Sequence, residues 1–295
     1  MGRMDSRLVL GLLLLGACKA QLANAPGDGG SEVDGSNNPL LDGGTDGGLP
    51  LGPWGTPARV PGADTADDED DATLSSSRLE LYFKRSNNGD ADLYVMTRAT
   101  PSSAWGAPVA LTVLNSSVDE ESPRLSQDDL TLYFGRNGDI YRSTRANTAS
   151  PWGAATAVTA LNTGAYEKWA AVCSNGYVIL SRSVSNRGQD LFEGDLTTGA
   201  NTAVGVLNST STEQGTFLSS DCLRVYFQSN RDNSQFNIYL ASRVTTSAAW
   251  SNASVLADFN SNTFSEEDPW IAVDQRTFVF ASNSAGNKDV YISTR

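Results

Sequence analysis

Histidine is absent from all 295 residues, and cysteine occurs only three times. Without imidazole there is no serine-histidine-acid triad, no histidine-ligated zinc and no side chain that ordinarily titrates near neutrality, so any chemistry here falls to carboxylates. Positive charge is also scarce. The chain has 21 Lys and Arg against 34 Asp and Glu, a formal charge of −13, which argues against a surface that tracks a phosphate backbone. One apolar run, residues 8–15, stands out. It is too short to cross a hydrocarbon core of ~30 Å, which takes about 20 helical residues. The remainder, 39% hydrophobic and 19% charged overall, has the balance of a chain that can bury a core.

The amino terminus reads as an export signal. Arg3 and Arg7 precede the apolar run, and Gly16-Ala17-Cys18 follows it. Leu15-Gly16-Ala17-Cys18 resembles the bacterial lipobox, which implies removal of residues 1–17 and acylation of Cys18, an attachment that gains about 0.8 kcal/mol per buried CH₂. Lys19 after the cysteine, by resemblance to Gram-negative lipoproteins, favours the outer membrane. Residues 18–49 are rich in Gly, Asp, Asn and Ser, a composition that buries no core and reads as a flexible tether. Its Asp-Gly-Gly triplets are too irregular in spacing for a calcium-binding repeat.

From residue 50 onward the chain repeats. Leu81-Tyr82-Phe83, Leu132-Tyr133-Phe134, Val178-Ile179-Leu180, Val225-Tyr226-Phe227 and Phe278-Val279-Phe280 recur at intervals of 46 to 53 residues. Each is followed about ten residues later by Asp92-Leu93-Tyr94, Asp139-Ile140-Tyr141, Asp190-Leu191-Phe192, Asn237-Ile238-Tyr239 or Asp289-Val290-Tyr291. β-Branched and aromatic residues at this period predict a four-stranded propeller blade, and five units predict five blades. An inner strand precedes each pair, with Leu74, Leu125, Ala171, Leu218 and Ile271 aligned, and Trp105, Trp152 and Trp250 open the outer strands. The fifth unit stops after its third strand, whereas Pro53-Trp54-Gly55 matches an outer strand ahead of the first unit. The expected fold is therefore an all-β, five-bladed propeller of four-stranded antiparallel blades, its last blade closed by the strand around Trp54.

Glu121, Pro123, Leu125-Ser126, Leu132-Tyr133-Phe134 and Asp139-Ile140-Tyr141 resemble the WD-like propeller repeats of the TolB type. The third unit departs from the pattern, with Trp169 in place of the proline and Ile179-Leu180 in place of the aromatics. The resemblance implies a periplasmic or surface scaffold that binds protein or peptide at the channel, and it implies no reaction.

Carboxylates stand ahead of the inner strands at Asp70, Glu121, Glu167 and Glu267, with Glu213 displaced by one position. Repetition would set them as an acidic ring at one channel mouth, suited to a cation or a basic segment, or employed within their own turns. Trp169 and Trp270 lie in the same strands, able to stack on a ligand or to pack between blades. A carboxylate-dependent glycosidase or a glycan-binding propeller is the alternative to a protein scaffold. The acids are spread evenly over the repeats, however, and no dissimilar acid and base pair stands out. The strand-opening acids Asp92, Asp139, Asp190 and Asp289 have Asn237 as their counterpart, which fits a turn acceptor better than a metal ligand. No cofactor and no metal are expected, and the domain reads as a monomer. Cys173 and Cys222 fall near first hairpin turns of neighbouring blades, where a disulfide is open to either outcome. If the lipobox is used, Cys18→Ser moves the protein from the membrane to the soluble fraction; unchanged fractionation overturns the anchor.

Overall fold

The computed structural model describes residues 51–87, 90–185 and 187–295. The expected signal peptide 1–17, Cys18 and the expected tether 18–49 lie outside the described residues. Among the described residues no helix is long and apolar enough to cross a membrane.

Twenty strands form five four-stranded antiparallel sheets. Blade 1 contains β2 (Asp68–Leu74), β3 (Glu80–Asn87), β4 (Asp90–Thr97) and β5 (Val109–Ala110). Blade 2 contains β6 (Glu120–Leu125), β7 (Thr131–Arg136), β8 (Asp139–Thr144) and β9 (Thr156–Ala157). Blade 3 contains β10 (Glu167–Val172), β11 (Tyr177–Val184), β12 (Arg187–Asp195) and β13 (Gly199–Ala203). Blade 4 contains β14 (Glu213–Leu218), β15 (Arg224–Ser229), β16 (Asn237–Ser242) and β17 (Ser254–Val255). Blade 5 contains β18 (Glu266–Ile271), β19 (Thr277–Ser282) and β20 (Asp289–Thr294), completed by β1 (Ala58–Arg59) from the other end of the domain. Inner strands touch in the order β2, β6, β10, β14, β18 and back to β2, so the ring closes around a channel.

The closing strand pairs Ala58 with Ile292 and Arg59 with Tyr291, as the position of Trp54 in the repeat predicts. Trp54 packs edge-on against Phe259 and Phe278, and the Arg295 guanidinium lies 4.2 Å over its ring. The same arginine-on-tryptophan contact recurs as Arg98 on Trp105, Arg145 on Trp152 and Arg243 on Trp250, at 4.1 to 4.5 Å. Each covers a blade edge whose outer strand is only two residues long, a short edge that resists pairing with another chain.

Asparagine adds to the edges of blades 1 to 4. Asn115, Asn162, Asn208 and Asn260 each accept the N–H of a third-strand residue through Oδ1 and donate Nδ2 to the same residue's carbonyl, on Leu93, Ile140, Leu191 and Ile238. The carboxamide has the donor and acceptor of a peptide unit, so one side chain extends the ladder where the backbone has turned away.

One detail of register differs from the repeat alignment. Leu74, Leu125, Leu218 and Ile271 pair with Leu81, Leu132, Val225 and Phe278, but the blade 3 equivalent is Val172, paired with Val178, and not Ala171. The first hairpin of blade 3 is one residue shorter, which slides the alignment by one. Cys173 and Cys222 are disulfide-bonded, with Cα atoms 6.2 Å apart, and tie the first hairpin turns of blades 3 and 4 together.

Trp54 carries the closure, and Trp54→Ala is expected to destabilise the fold by about 3 kcal/mol, or roughly 10 °C in Tm by calorimetry. An unchanged melt refutes closure through this residue.

Candidate functional site

Every inner strand enters the channel through the same irregularity. After the paired residues that open the strand, three in β2 and two in the others, the register shifts, and the next residue, the third counted from a glutamate, has a positive φ: Asp71 (57°), Ser122 (57°), Trp169 (49°), Gly215 (67°) and Asp268 (54°). Non-glycine residues adopt this left-handed conformation at a cost of roughly 1–2 kcal/mol, so four of the five bulges are held by their surroundings.

Those surroundings are visible in the hydrogen bonds. The Asp71 carboxylate of blade 1 accepts the bulge N–H of Ser122 in blade 2 at 3.0 Å, and Asp268 of blade 5 accepts that of Asp71 at 3.2 Å. Blade 4 has glycine at the bulge and therefore no acceptor. Gln228 from β15 supplies one, accepting the Asp268 N–H at 2.6 Å from a position that a Cβ on Gly215 would occupy. Three of the five inter-blade steps are thus closed by a side-chain oxygen received in the same way.

The positions before the bulge settle where the expected acidic residues lie. The first position is Glu69, Glu120, Glu167, Glu213 and Glu266, glutamate in all five blades and buried. Each accepts the backbone N–H of a Ser or Thr four or five residues upstream, at 2.8 to 3.2 Å. In four blades an arginine completes the pair: Arg85, Arg136, Arg182 and Arg231, at 2.7 to 3.1 Å. Each guanidinium also lies 4.7 to 4.8 Å over Tyr94, Tyr141, Phe192 or Tyr239. Glu167 and Glu213 belong to this structural ring. They are therefore out of register with Asp70, Glu121 and Glu267, which occupy the second position together with Lys168 and Gln214.

The second and third positions form the polar channel mouth, and it alternates in charge. Lys84 bonds Asp70 at 2.8 Å, Lys288 bridges Asp70 and Glu267 at 3.3 and 3.0 Å, and Lys168 bonds Glu121 at 2.6 Å. Tyr166 donates to Glu121 at 3.2 Å, with its hydroxyl pushed up to about 12 by burial and by that carboxylate. Arg124 of blade 2 crosses below, donating to the carbonyls of Thr216 in blade 4 and Asp71 in blade 1 at 3.0 and 3.2 Å. The reading of the sequence missed Lys84, Arg124, Gln228 and Lys288. No repeat signal marks these four, since none occupies the first three positions of an inner strand.

Asp71 and Asp268 are both buried, yet their carboxyls are driven apart. Burial raises both. For Asp71 it is outweighed by Lys84, the hydrogen bond with Asp268, Arg124 and Lys168, leaving its carboxyl at about 2. Both oxygens are also satisfied, one by the Ser122 N–H and the other by the Trp169 indole N–H at 2.6 Å. For Asp268, burial is reinforced by the negative Asp71, Asp70 and Glu267, and its carboxyl lies well above the usual range. A neutral Asp268 leaves Asp70, Asp71, Glu121 and Glu267 facing Lys84, Arg124, Lys168 and Lys288, a balanced set. Among the described residues no group of three or more acids or cysteines is arranged to hold a metal.

The two tryptophans expected at the mouth are taken up by packing. Trp169 is committed to Asp71, and Trp270 packs on Phe217 with ring centroids 5.9 Å apart. Trp270 instead helps to line a recess at the opposite, hairpin-turn end of the channel. The last residues of the five inner strands, Leu74, Leu125, Val172, Leu218 and Ile271, form its aliphatic collar. Arg124 and Phe217 lie deeper, and Ser76, Gln127, Ser220 and the exposed Val273 form the rim.

Five four-stranded blades around a channel filled by inter-blade side chains define a five-bladed β-propeller. Similar solved structures include the α-L-arabinofuranosidase PaAbf62A from Podospora anserina, 13% identical over 80% of this chain and 94% of that one, with a TM-score of 0.57. A thermostable family-43 glycoside hydrolase is 12% identical over 80% and 92%, also at 0.57. TolB from Acinetobacter baumannii is 12% identical over 77% of this chain and 54% of that one, at 0.50. No protein-family model and no curated sequence matches the chain. These likenesses establish the architecture.

The carboxyl pair makes opposite predictions for its two members. A raised folded-state value means that the Asp268 contribution is present below the unfolded value of about 4 and is lost as pH rises through the folded one. Asp268→Asn, which mimics the protonated acid, is expected to melt at least as high as wild type and to flatten that alkaline loss. The Asp71 contribution is present above about 4 and lost as pH falls towards 2. Asp71→Asn sets an amide N–H against Ser122 or Trp169 and is expected to cost roughly 3 kcal/mol. Equal effects of the two substitutions on melting curves from pH 3 to 9 refute the assignment.

Proposed function

We propose that the protein is a cell-envelope lipoprotein, anchored at the outer membrane through Cys18, whose monomeric propeller binds a protein or peptide partner at the polar mouth without catalysing a reaction. The observation that carries the binding reading is the pairing at that mouth. Asp70, Glu121 and Glu267 each hold a lysine from the same or a neighbouring blade, and the lysines remain part-exposed. Such alternating pairs offer both signs of charge to a polar partner, and exchange of one pair for an intermolecular one costs little net charge. Glu167 and Glu213 fall outside this contact area because their oxygens are engaged in their own turns.

A glycan-directed reading, as lectin or glycosidase, has one observation in its favour. Glu121 is raised, first by burial and then by Asp71, while Asp71 itself is held low, the kind of divergence that separates an acid from a base. Against it, Asp71 is buried with both oxygens occupied, and neither Trp169 nor Trp270 presents a free ring face for a sugar.

Pull-down from envelope extract with the full chain, set beside a glycan array, separates the readings. Capture of a defined protein that Lys168→Glu or Lys288→Glu weakens about tenfold supports the scaffold. Glycan binding or hydrolysis lost in Glu121→Gln, with no protein partner, replaces it with the second reading.

A further inference from the structure

The polar mouth and the hairpin-side recess share the channel but are separated by Arg124, and the recess has its own chemistry. Its collar is aliphatic in all five blades, with Leu74, Leu125, Val172, Leu218 and Ile271 at one level. Its volume of about 80 Å³ is several times what one water needs, enough for the end of a chain and too little for a folded element. Arg124, 2% exposed, forms part of its wall. Three of the guanidinium's hydrogen bonds go to the carbonyls of Thr216, Pro123 and Asp71, and Nη2 has no acceptor. An unanswered buried donor costs roughly 1–3 kcal/mol, more when charged, and that energy is recovered by whatever ligand supplies the acceptor. Of the carboxylates on the polar side that act on Arg124, Asp70 is answered by Lys84 and Lys288 and Asp71 by Lys84, while Asp268, which acts on it most strongly, is itself driven towards the neutral acid. Around the rim, Gln127 and Ser220 can meet the main chain of an entering segment, while the carboxylate in the lining, Asp129, is engaged by the N–H and hydroxyl of Ser76.

An apolar collar above a cationic donor, sized for one residue, matches one chemistry. We propose that the hairpin-side recess captures the carboxyl-terminal residue of a partner polypeptide, seating an aliphatic or aromatic side chain in the collar and the α-carboxylate on Arg124. This site is independent of the partner proposed for the polar mouth, because none of the lysine-carboxylate pairs there lines it. A charge-assisted hydrogen bond from the free Nη2 to a carboxylate oxygen supplies the specificity, and the collar supplies the apolar contact.

The test uses the full chain in detergent and fluorescently labelled decapeptides ending in leucine, read by anisotropy. The free acid is expected to bind at least tenfold more tightly than the same peptide with a carboxyl-terminal amide, and than one ending in serine. Val172→Trp, which fills the collar and leaves Arg124 in place, is expected to abolish binding, whereas Val244→Ser at an exposed position outside the recess leaves it unchanged. Equal binding of acid and amide, binding that survives Val172→Trp, or no binding of the leucine peptide each overturns the proposal.

Discussion

The left-handed residue in every inner strand is the constraint on which this propeller depends. A bulge there turns the chain inward and leaves a backbone N–H facing the neighbouring blade, where no ladder can receive it. Asp71, Asp268 and Gln228 receive such groups across blade boundaries, so the residues that relieve backbone strain are the ones that join the ring. Gln228 illustrates the economy of the arrangement. Its amide oxygen occupies the space that a side chain on Gly215 would fill and performs the same hydrogen bond from the adjacent strand.

Charge follows from this geometry. A carboxylate at a bulge is buried, and a buried carboxylate needs either donors or a proton. Asp71 has the indole of Trp169, the Ser122 N–H and a lysine nearby, and remains ionised; Asp268 is driven towards the neutral acid by burial and by the negative Asp71, Asp70 and Glu267. The acidity of the sequence therefore does not appear as a bare ring of negative charge. Lysines from blades 1, 3 and 5 interleave with the acids of the mouth, and arginines occupy the glutamates behind it.

The channel consequently has two unlike ends. One is polar and cross-linked by ion pairs, the other aliphatic and open, and the Arg124 guanidinium spans the wall between them. Architecture shared with glycoside hydrolases and with TolB does not choose between these ends, because the same blades accommodate either chemistry and only the residues at the bulge and collar distinguish them.

Much of the fold was legible in the chain itself. Strand order, blade number and closure through Trp54 follow from a period of about fifty residues and from local preferences that repetition reinforces, so an error in one blade is corrected by the other four. The site was less legible for the same reason. Alignment by repeats rewards what all blades share, and it placed Glu167 in register with Asp70, Glu121 and Glu267 although a shift of one position separates them, the shift it recognised for Glu213. It also overlooked Lys84 and Gln228, which lie in second strands, and Lys288, just ahead of β20, none of them in the inner strands that carry the acids they meet. The absent histidine, the acidic balance and the fivefold repeat were determined by sequence alone, since composition and period are properties of the chain. Which carboxylate is paired, which is neutral and which mouth stays open were decided only by tertiary structure, because a pairing across blades depends on distances that ring closure creates.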